Sequence, residues 1–590
     1  MAASPEPTVT RPATVIERDV PVPMRDGVVL RADVYRPADD ATGPWPVLLE
    51  RTPYDKGYYL TSGMPLDPLR AAERGYAVVI QDVRGRFASE GEFYSFVNEA
   101  DDGYDTVEWC AEQTWCDGAV GMYGSSYMGA TTWQAAVSRP PHLKAIAPSQ
   151  ASSDYFEARS YRGGVPELGS LLTTAFLALG PGSVGRLALD RDGRRALLKD
   201  LRRLVDDLET TAATWPLADL ARDWPDDFLP YLRDWLTHRT YDGYWHAISL
   251  EHRHGDLEVP ALHMTSWFDS FLDGTLRNFA GATAESGAPQ RLIVGPWSHH
   301  VPMAALLGSA RVGDLNCGLG SMLDFDAVQL AWFDRWLKDI DEPRAAAPVR
   351  VFVMGANRWR DEEQWPPAGT RAARLHLTSA GRANTRHGDG ALAWAAPPDP
   401  GSDTFVYDPR EPVPTLGGAH VMINTSHPPG SFDQRAVEDR HDVLVYTSAP
   451  LEEDLEVIGW VTARLAVVSD APDTDFTAKL VDVHPDGTAM SVCDGIQRLS
   501  LRDGRERVSP YEPGTPCALD VALSATGYRF ARRHRVRLEV SSSNFPRFEP
   551  NLNTGRHAYD SGVSRPATQV VLHGGPHESW LELPAVDARS

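Results

Sequence analysis

The chain has no long hydrophobic run. No segment reaches the roughly 18 uninterrupted apolar residues that a membrane-crossing helix needs, and the opening MAASPEPTVTRPATVIERDV lacks the basic start and apolar stretch of a signal peptide. A cytoplasmic location is the expectation that follows. A basic excess is also missing: 57 Lys and Arg stand against 81 Asp and Glu, a net charge of -24, which repels phosphate backbones and anionic lipid. Nucleic acid and membrane surfaces are therefore not expected as partners. Cysteine is scarce. Cys110, Cys116, Cys317, Cys493 and Cys517 are odd in number and scattered, which fits buried reduced thiols and not a disulfide framework. Neither HExxH nor Cys-x-x-Cys occurs, and His252 with His254 falls in a predicted insertion, so neither a metal nor a cofactor is expected. Internal repeats and heptads are absent as well.

What is present is a chain of 590 residues, too long for a single hydrophobic core, with the 42% hydrophobic and 23% charged composition of a globular protein. Residues 15–37 predict a hairpin around Asp26-Gly27, a pair suited to a tight turn. Short apolar runs at 46–49, 76–80, 119–123 and 143–147 alternate with helical patterning, as a parallel sheet buried on both faces requires. From 153 to 252 the strand signal gives way to segments such as RRALLKDLRRLVDDLETTAATW, with apolar residues at helical spacing, and this predicts a helical cap. Strand-like runs return at 261–265 and 291–294, followed by a helix over 327–340 with Leu330, Phe333, Leu337 and Ile340 on one face. Beyond 348, strands such as VRVFVM, LEVIGWVTARLAVV and HRVRLEVSSS follow one another without helices, predicting a β-sandwich or jelly roll. The expected partition is an α/β core over 1–152, a cap over 153–252, the rest of the core over 253–348 and an all-β domain over 349–590.

The segment GAVGMYGSSYMG (118–129) passes from a strand into a Gly-flanked serine and then a helical pattern. That is the setting of a nucleophile elbow, where a strained strand-to-helix turn lifts a hydroxyl above an α/β-hydrolase sheet. Ser126 occupies the position, with Gly124 two residues before it. The second glycine, Gly129, comes one place late, and Met128 stands where glycine is usual. Ser125 is the competitor, but Tyr123 lies two residues before it. The hydroxyl needs a base, and the base an acid that fixes its tautomer. In this fold they follow in the order serine, acid, histidine, each past the end of a strand. Asp269, after ALHMT, and His299, after RLIV, meet both conditions. His300 is an alternative base. Any one of 18 histidines is more often structural than catalytic, and Asp269 alone could cap a helix; order and placement together make the triad.

These strings, with RTPYDK (51–56), IQDVRGRFASEGEF (80–93), QTWCDGAVGMYGSSYMG (113–129), GPWSHH (295–300), DTDFTAKLVDV (473–483) and SSSNFPRFEPNLNTG (541–555), resemble the cocaine esterase and X-prolyl dipeptidyl peptidase group of hydrolases, the CocE/NonD family, along nearly the whole chain. The resemblance implies an α/β-hydrolase core with an inserted helical cap and a C-terminal jelly roll. It implies that Ser126, Asp269 and His299 form the triad and that the Tyr54 hydroxyl joins the backbone amide of Tyr127 in an oxyanion hole. A tetrahedral intermediate needs two such donors. Read without the resemblance, Tyr54 is a turn aromatic after Pro53. Positions near Ser160 and Thr174 are small and polar where the family places pocket tryptophans, although Phe271 is kept. The stretch from Asp269 to Asp273 does not reproduce the carboxylate cluster with which α-amino acid ester hydrolases hold an ammonium group.

The expected function is hydrolysis of small-molecule carboxylic esters or amides through an acyl-Ser126 intermediate. Its alternatives are an X-prolyl dipeptidyl aminopeptidase, a β-lactam or α-amino acid ester acylase, and, from another class, a non-catalytic carbohydrate-binding protein. The sequence admits a homodimer without deciding it.

Overall fold

The structure, a computed structural model, describes residues 14–39, 42–58, 63–225, 227–299, 310–340, 347–422, 424 and 426–587. His300 lies outside them.

Strands β1 (Thr14–Pro23) and β2 (Val29–Pro37) pair antiparallel around Gly27, whose φ of 87° the turn requires. The following strands are β3 (Trp45–Thr52), β4 (Ala77–Asp82), β5 (Cys116–Ser125), β6 (Leu143–Ser149), β7 (Ala261–Phe268), β8 (Gln290–Ser298), β9 (Val349–Val353) and β10 (Arg358–Glu362). They complete one sheet in the order β1-β2-β4-β3-β5-β6-β7-β8-β9-β10, parallel from β4 through β9. Every residue of β3, β4 and β7 is buried, and β3 and β4 begin as apolar runs before ending in polar residues that are buried too.

The two faces still alternate. Val47, Leu49, Val79, Val120 and Met122 pack under α1 (Glu99–Ala111) and α2 (Tyr127–Val137) through Val107, Cys110, Trp133 and Ala136. Leu48, Val78, Ile80, Ala145 and Ile293 face the opposite way, onto Leu330, Trp332 and Phe333 of α4 (Phe325–Leu337). Helix α3 (Leu272–Glu285) leads from β7 toward β8. The helix expected to reach Ile340 stops at Leu337. Asp339 takes a φ of 54°, which breaks the helical path and leaves Ile340 exposed.

The segment between β6 and β7 is predominantly helical, in short pieces, the longest being Arg191–Asp206 with Leu197, Leu201, Leu204 and Val205 buried. Two of its turns are π-helical, Phe156–Ser160 and Thr174–Leu179. Such turns carry one extra residue and concentrate at functional sites.

The C-terminal part is all-β. Its sheet contains Arg371–Thr378, Gly401–Tyr407, Leu444–Ser448, Leu455–Ser469, Asp475–Val483, Ala489–Arg498, Cys517–Phe530, Arg535–Ser541, Ala567–His573 and Trp580–Val586, and almost all of its pairings are antiparallel. One strand joins a sheet other than its texture suggested. VRVFVM, assigned by its texture to the β-domain, forms β9, which pairs parallel with β8, and β10 folds back on it, so the first sheet runs to Glu362. Partner choice, not local propensity, decides which sheet a short apolar strand joins.

The two parts share a core. Trp267 of β7 donates its indole N–H to the Phe352 carbonyl at 2.7 Å, and its ring fills the space a side chain at Gly527 would need. A buried polar chain also crosses the junction. Arg162 of the cap pairs with Asp273 of α3 at 2.6 Å, and Ser524 of the β-domain donates to the same carboxylate at 2.5 Å. Glu167 bridges Arg162 to Arg547, which pairs in turn with Asp494. Among the described residues no helix is long and apolar enough to cross a membrane.

Candidate active site

Ser126 sits where β5 ends and α2 begins, with φ 63° and ψ -121°. Such a conformation is costly for a non-glycine residue and persists only when its surroundings impose it. The Ser126 amide donates to the Ser149 carbonyl of β6 at 3.0 Å, and its own carbonyl accepts from Ala130 at 3.0 Å. The glycines explain the irregular motif. A Cβ at Gly124 would lie 2.5 Å from Met128, and one at Gly129 would lie 2.8 Å from the Ser149 carbonyl. The close approach to β6 falls at Gly129, so Met128 is tolerated one residue earlier. Ser125, the competitor, donates to Gln150 at 3.2 Å.

Register places the other two residues. Ser298 pairs with Phe268 across β8 and β7, so His299 and Asp269, the next residue of each chain, emerge side by side. His299 Nδ1 lies 2.9 Å from Asp269 Oδ1, the carboxylate is fully buried, and the Phe271 amide donates to the same oxygen at 3.1 Å. With Nδ1–H donated to Asp269, the ring's lone pair is on Nε2. The Phe271 ring meets the imidazole edge-on, centroids 5.2 Å apart.

Tyr54 follows β3, the neighbour of β5 on the other side, and its hydroxyl is hydrogen-bonded with Ser126. Burial pushes its phenol up to about 12, against the pull of Arg159, Arg86 and the Ser126 contact, so it stays a protonated donor. Tyr127 is the first residue of α2, where amides have no intrahelical acceptor. Its side chain anchors it: the hydroxyl donates to Glu99 at 3.0 Å and accepts from the Phe96 amide at 2.9 Å, while Glu99 pairs with buried Arg51 at 2.9 Å.

Ser126, His299, Tyr54, Tyr127 and Phe271 open onto one cavity of about 780 Å³. The cap supplies the opposite wall through Arg159, Thr174 and Leu177, and the β-domain adds Val421. Thr174 lines the cavity, at a position the family resemblance placed in the pocket, whereas Ser160 is buried and is not part of its lining. Sequence reasoning missed Arg159, since EARSYRGG carries no motif. It also missed Arg86, whose buried guanidinium ties the Pro53 carbonyl to Leu179 and Ser183 of the cap at 2.8 to 3.0 Å. A second cavity of about 420 Å³ at the junction with the β-domain holds none of the five candidate residues.

The histidines weighed for a metal have other partners. His254 contacts Asn278 at 2.9 Å, and His252 stacks on His246. Among the described residues only Asp482, His484 and His534 are close enough to share an ion. Asp482 already accepts from Tyr528 at 2.9 Å, and none of the three lines the catalytic cavity.

A parallel sheet with a strained serine at one strand end and a His–Asp pair at two others defines a serine hydrolase of the α/β class. The family follows from the chain itself: residues 26–301 match the X-Pro dipeptidyl-peptidase (S15 family) model and residues 344–582 its C-terminal non-catalytic domain, and the chain belongs to that family. It is 42% identical over 583 residues to a cocaine esterase from Rhodococcus sp. (strain MB1 Bresler), covering 97% of this chain and 98% of that one. Among solved structures, an aminopeptidase from a marine sediment Thaumarchaeota archaeon superposes with a TM-score of 0.82 at 22% identity over 99% of both chains. An α-amino acid ester hydrolase superposes with 0.79 at 24% identity over 98% of both.

Proposed function

We propose that this chain hydrolyses small carboxylic esters through an acyl-Ser126 intermediate, in the cytoplasm. The observation that carries the proposal is the His299–Asp269 pair at 2.9 Å, opening onto the same cavity as the strained Ser126. Ser126 Oγ attacks the acyl carbonyl while His299 Nε2 takes its proton, and Asp269 stabilises the imidazolium. The oxyanion accepts hydrogen bonds from the Tyr54 hydroxyl and the Tyr127 amide. His299 then returns the proton to the departing alcohol. Water, deprotonated by the same imidazole, releases the acid and restores Ser126. Every step uses side chains and backbone of this chain. The partition we propose is a core over 1–152 and 253–348, a cap over 153–252 and a β-domain over 349–590.

The similarity to a cocaine esterase supports an ester over an amide. The aminopeptidase and amino-acid-ester alternatives need an acceptor for a substrate ammonium, and among the described residues the cavity lining includes neither Asp nor Glu. Asp273, the nearest candidate in sequence, is occupied by Arg162 and Ser524. Matched 4-nitrophenyl esters and 4-nitroanilides with the same acyl groups test the reading. The expected result is a kcat/KM for esters far above that for anilides; faster cleavage of an N-terminal dipeptidyl anilide than of any ester would contradict it.

A further inference from the structure

Among the described residues, the catalytic cavity has one charged side chain in its wall besides the histidine, and that charge is positive. In a chain of net charge -24 this is not a reflection of composition. Arg159 is 8% exposed, and its guanidinium lies 3.8 Å from the centroid of the Trp235 ring and 5.4 Å from that of Phe96. Its only side-chain hydrogen bond among the described residues runs from Nη1 to Ser160 Oγ at 2.9 Å. The titratable groups that face it most strongly are the phenols of Tyr54, Tyr244, Tyr155 and Tyr127, none of them an anion at neutral pH.

Other buried arginines of the molecule are treated differently. Arg51 pairs with Glu99, Arg162 with Asp273, Arg498 with Asp475 and Arg547 with both Glu167 and Asp494, all at 2.6 to 3.1 Å. Arg86, close by, has no carboxylate among the described residues, but two carbonyls and a hydroxyl accept from its Nε and Nη1, and it does not line the cavity. Arg159 alone of this set is buried, without a carboxylate, and open to the catalytic cavity. The undescribed stretches 59–62 and 300–309, which adjoin cavity residues in sequence, contain no Asp or Glu that could neutralise it. Burying a guanidinium without a counter-ion is unfavourable, and aromatic faces compensate only in part. A planar fork of donors held this way is suited to a carboxylate, which it binds with two parallel charge-assisted hydrogen bonds.

We propose that Arg159 is a specificity determinant that receives a carboxylate of the substrate, so that the preferred esters are anionic: half-esters of dicarboxylic acids or esters of hydroxy acids. The inference rests on the ester-hydrolase reading of Ser126 and names its substrate class. Burial brings the Arg159 guanidinium down to about 10, which leaves it cationic at neutral pH. Arg159 belongs to the π-helical turn Phe156–Ser160 and lines the cavity, with one of its nitrogens bonded to the small neighbour Ser160.

The test compares two matched pairs. Mono-4-nitrophenyl glutarate against its methyl-capped diester places the charge on the acyl side; 4-acetoxybenzoate against its methyl ester places it on the leaving group. In at least one pair the wild type should favour the carboxylate form in kcat/KM, and Arg159→Gln should lower that preference by about 10- to 100-fold, with Arg159→Lys intermediate. A preference for the neutral member in both pairs, or a ratio unchanged by Arg159→Gln, would overturn the proposal while leaving the ester-hydrolase reading intact. Benzoate binding, read by calorimetry, is independent of turnover. Benzoate should bind the wild type and much more weakly the Gln variant, and equal affinity overturns the proposal even if no ester is cleaved. Should Arg159→Gln fail to fold, Arg159→Lys carries the same comparisons.

Discussion

The floor and the wall of the cavity are built by different rules. The floor, Ser126, His299 and Tyr54, comes from the ends of parallel strands whose register sets which residues meet. The wall, Arg159, Thr174 and Leu177, comes from two π-helical turns of the cap, where one inserted residue re-aims every side chain that follows. Chemistry that must be positioned finely lies on the sheet, and selection among substrates lies on the part of the fold that changes most easily.

The largest effects should come from the floor. Ser126→Ala and His299→Ala should each lower turnover by about a million-fold, and the double variant should be no worse, since triad members act as a unit. Multiplicative losses in steady-state assays would separate the two residues and break the comparison.

The junction beneath both regions is the next test. Removing one partner of a buried ion pair costs about 3 to 5 kcal/mol, so Arg162→Met should lower stability by that order in urea unfolding. Burial raises the Asp273 pKa, but Arg162, Arg277 and the Ser524 hydroxyl outweigh it and hold the carboxyl below its ordinary value of 3.8. A depressed carboxylate stabilises the fold above its unfolded pKa and loses that contribution as pH falls toward the native value. The gap between wild type and Arg162→Met should therefore be full at neutral pH and narrow below about pH 4. A gap independent of pH would remove Asp273 from the account. For the same reason a fragment ending near residue 362 should be insoluble or inactive.

Tyr54→Phe keeps the ring and its packing and removes one donor. Turnover should fall by about a hundred- to a thousand-fold with little change in Tm; a lower Tm with normal turnover would make Tyr54 structural. Smallest should be the effect of a wall residue that carries no charge. Thr174→Leu adds bulk to the cavity and should lower the kcat/KM ratio of long to short acyl esters by about tenfold. A variant whose losses fall equally on all esters would show that wall and floor are not separable.

The same contrast explains what could be read from the chain. Parallel strands announce themselves as apolar runs, and the rule that catalytic residues follow their carboxyl ends singled out Ser126, Asp269 and His299 as candidates without coordinates. The hairpin at Asp26-Gly27 and the helical cap were legible for similar reasons of period and turn chemistry. Val349–Val353 was not, because an apolar strand of five residues looks the same whichever sheet it joins, and its bond to β8 spans an intervening helix. Ile340 matched the helical period, yet Asp339 had already turned the chain. Arg159 was invisible, since neither arginine of EARSYRGG stands out until the fold gives Arg162 a carboxylate and Arg159 none.

The central claim is that Ser126 is the activated nucleophile, and a fluorophosphonate tests it most directly, because only an activated hydroxyl attacks such reagents quickly. Intact-mass and peptide analysis of the wild type should find a single adduct on Ser126, abolished in Ser126→Ala and strongly slowed in His299→Ala. An adduct on Ser125, or none under conditions where the protein is folded, would contradict the account.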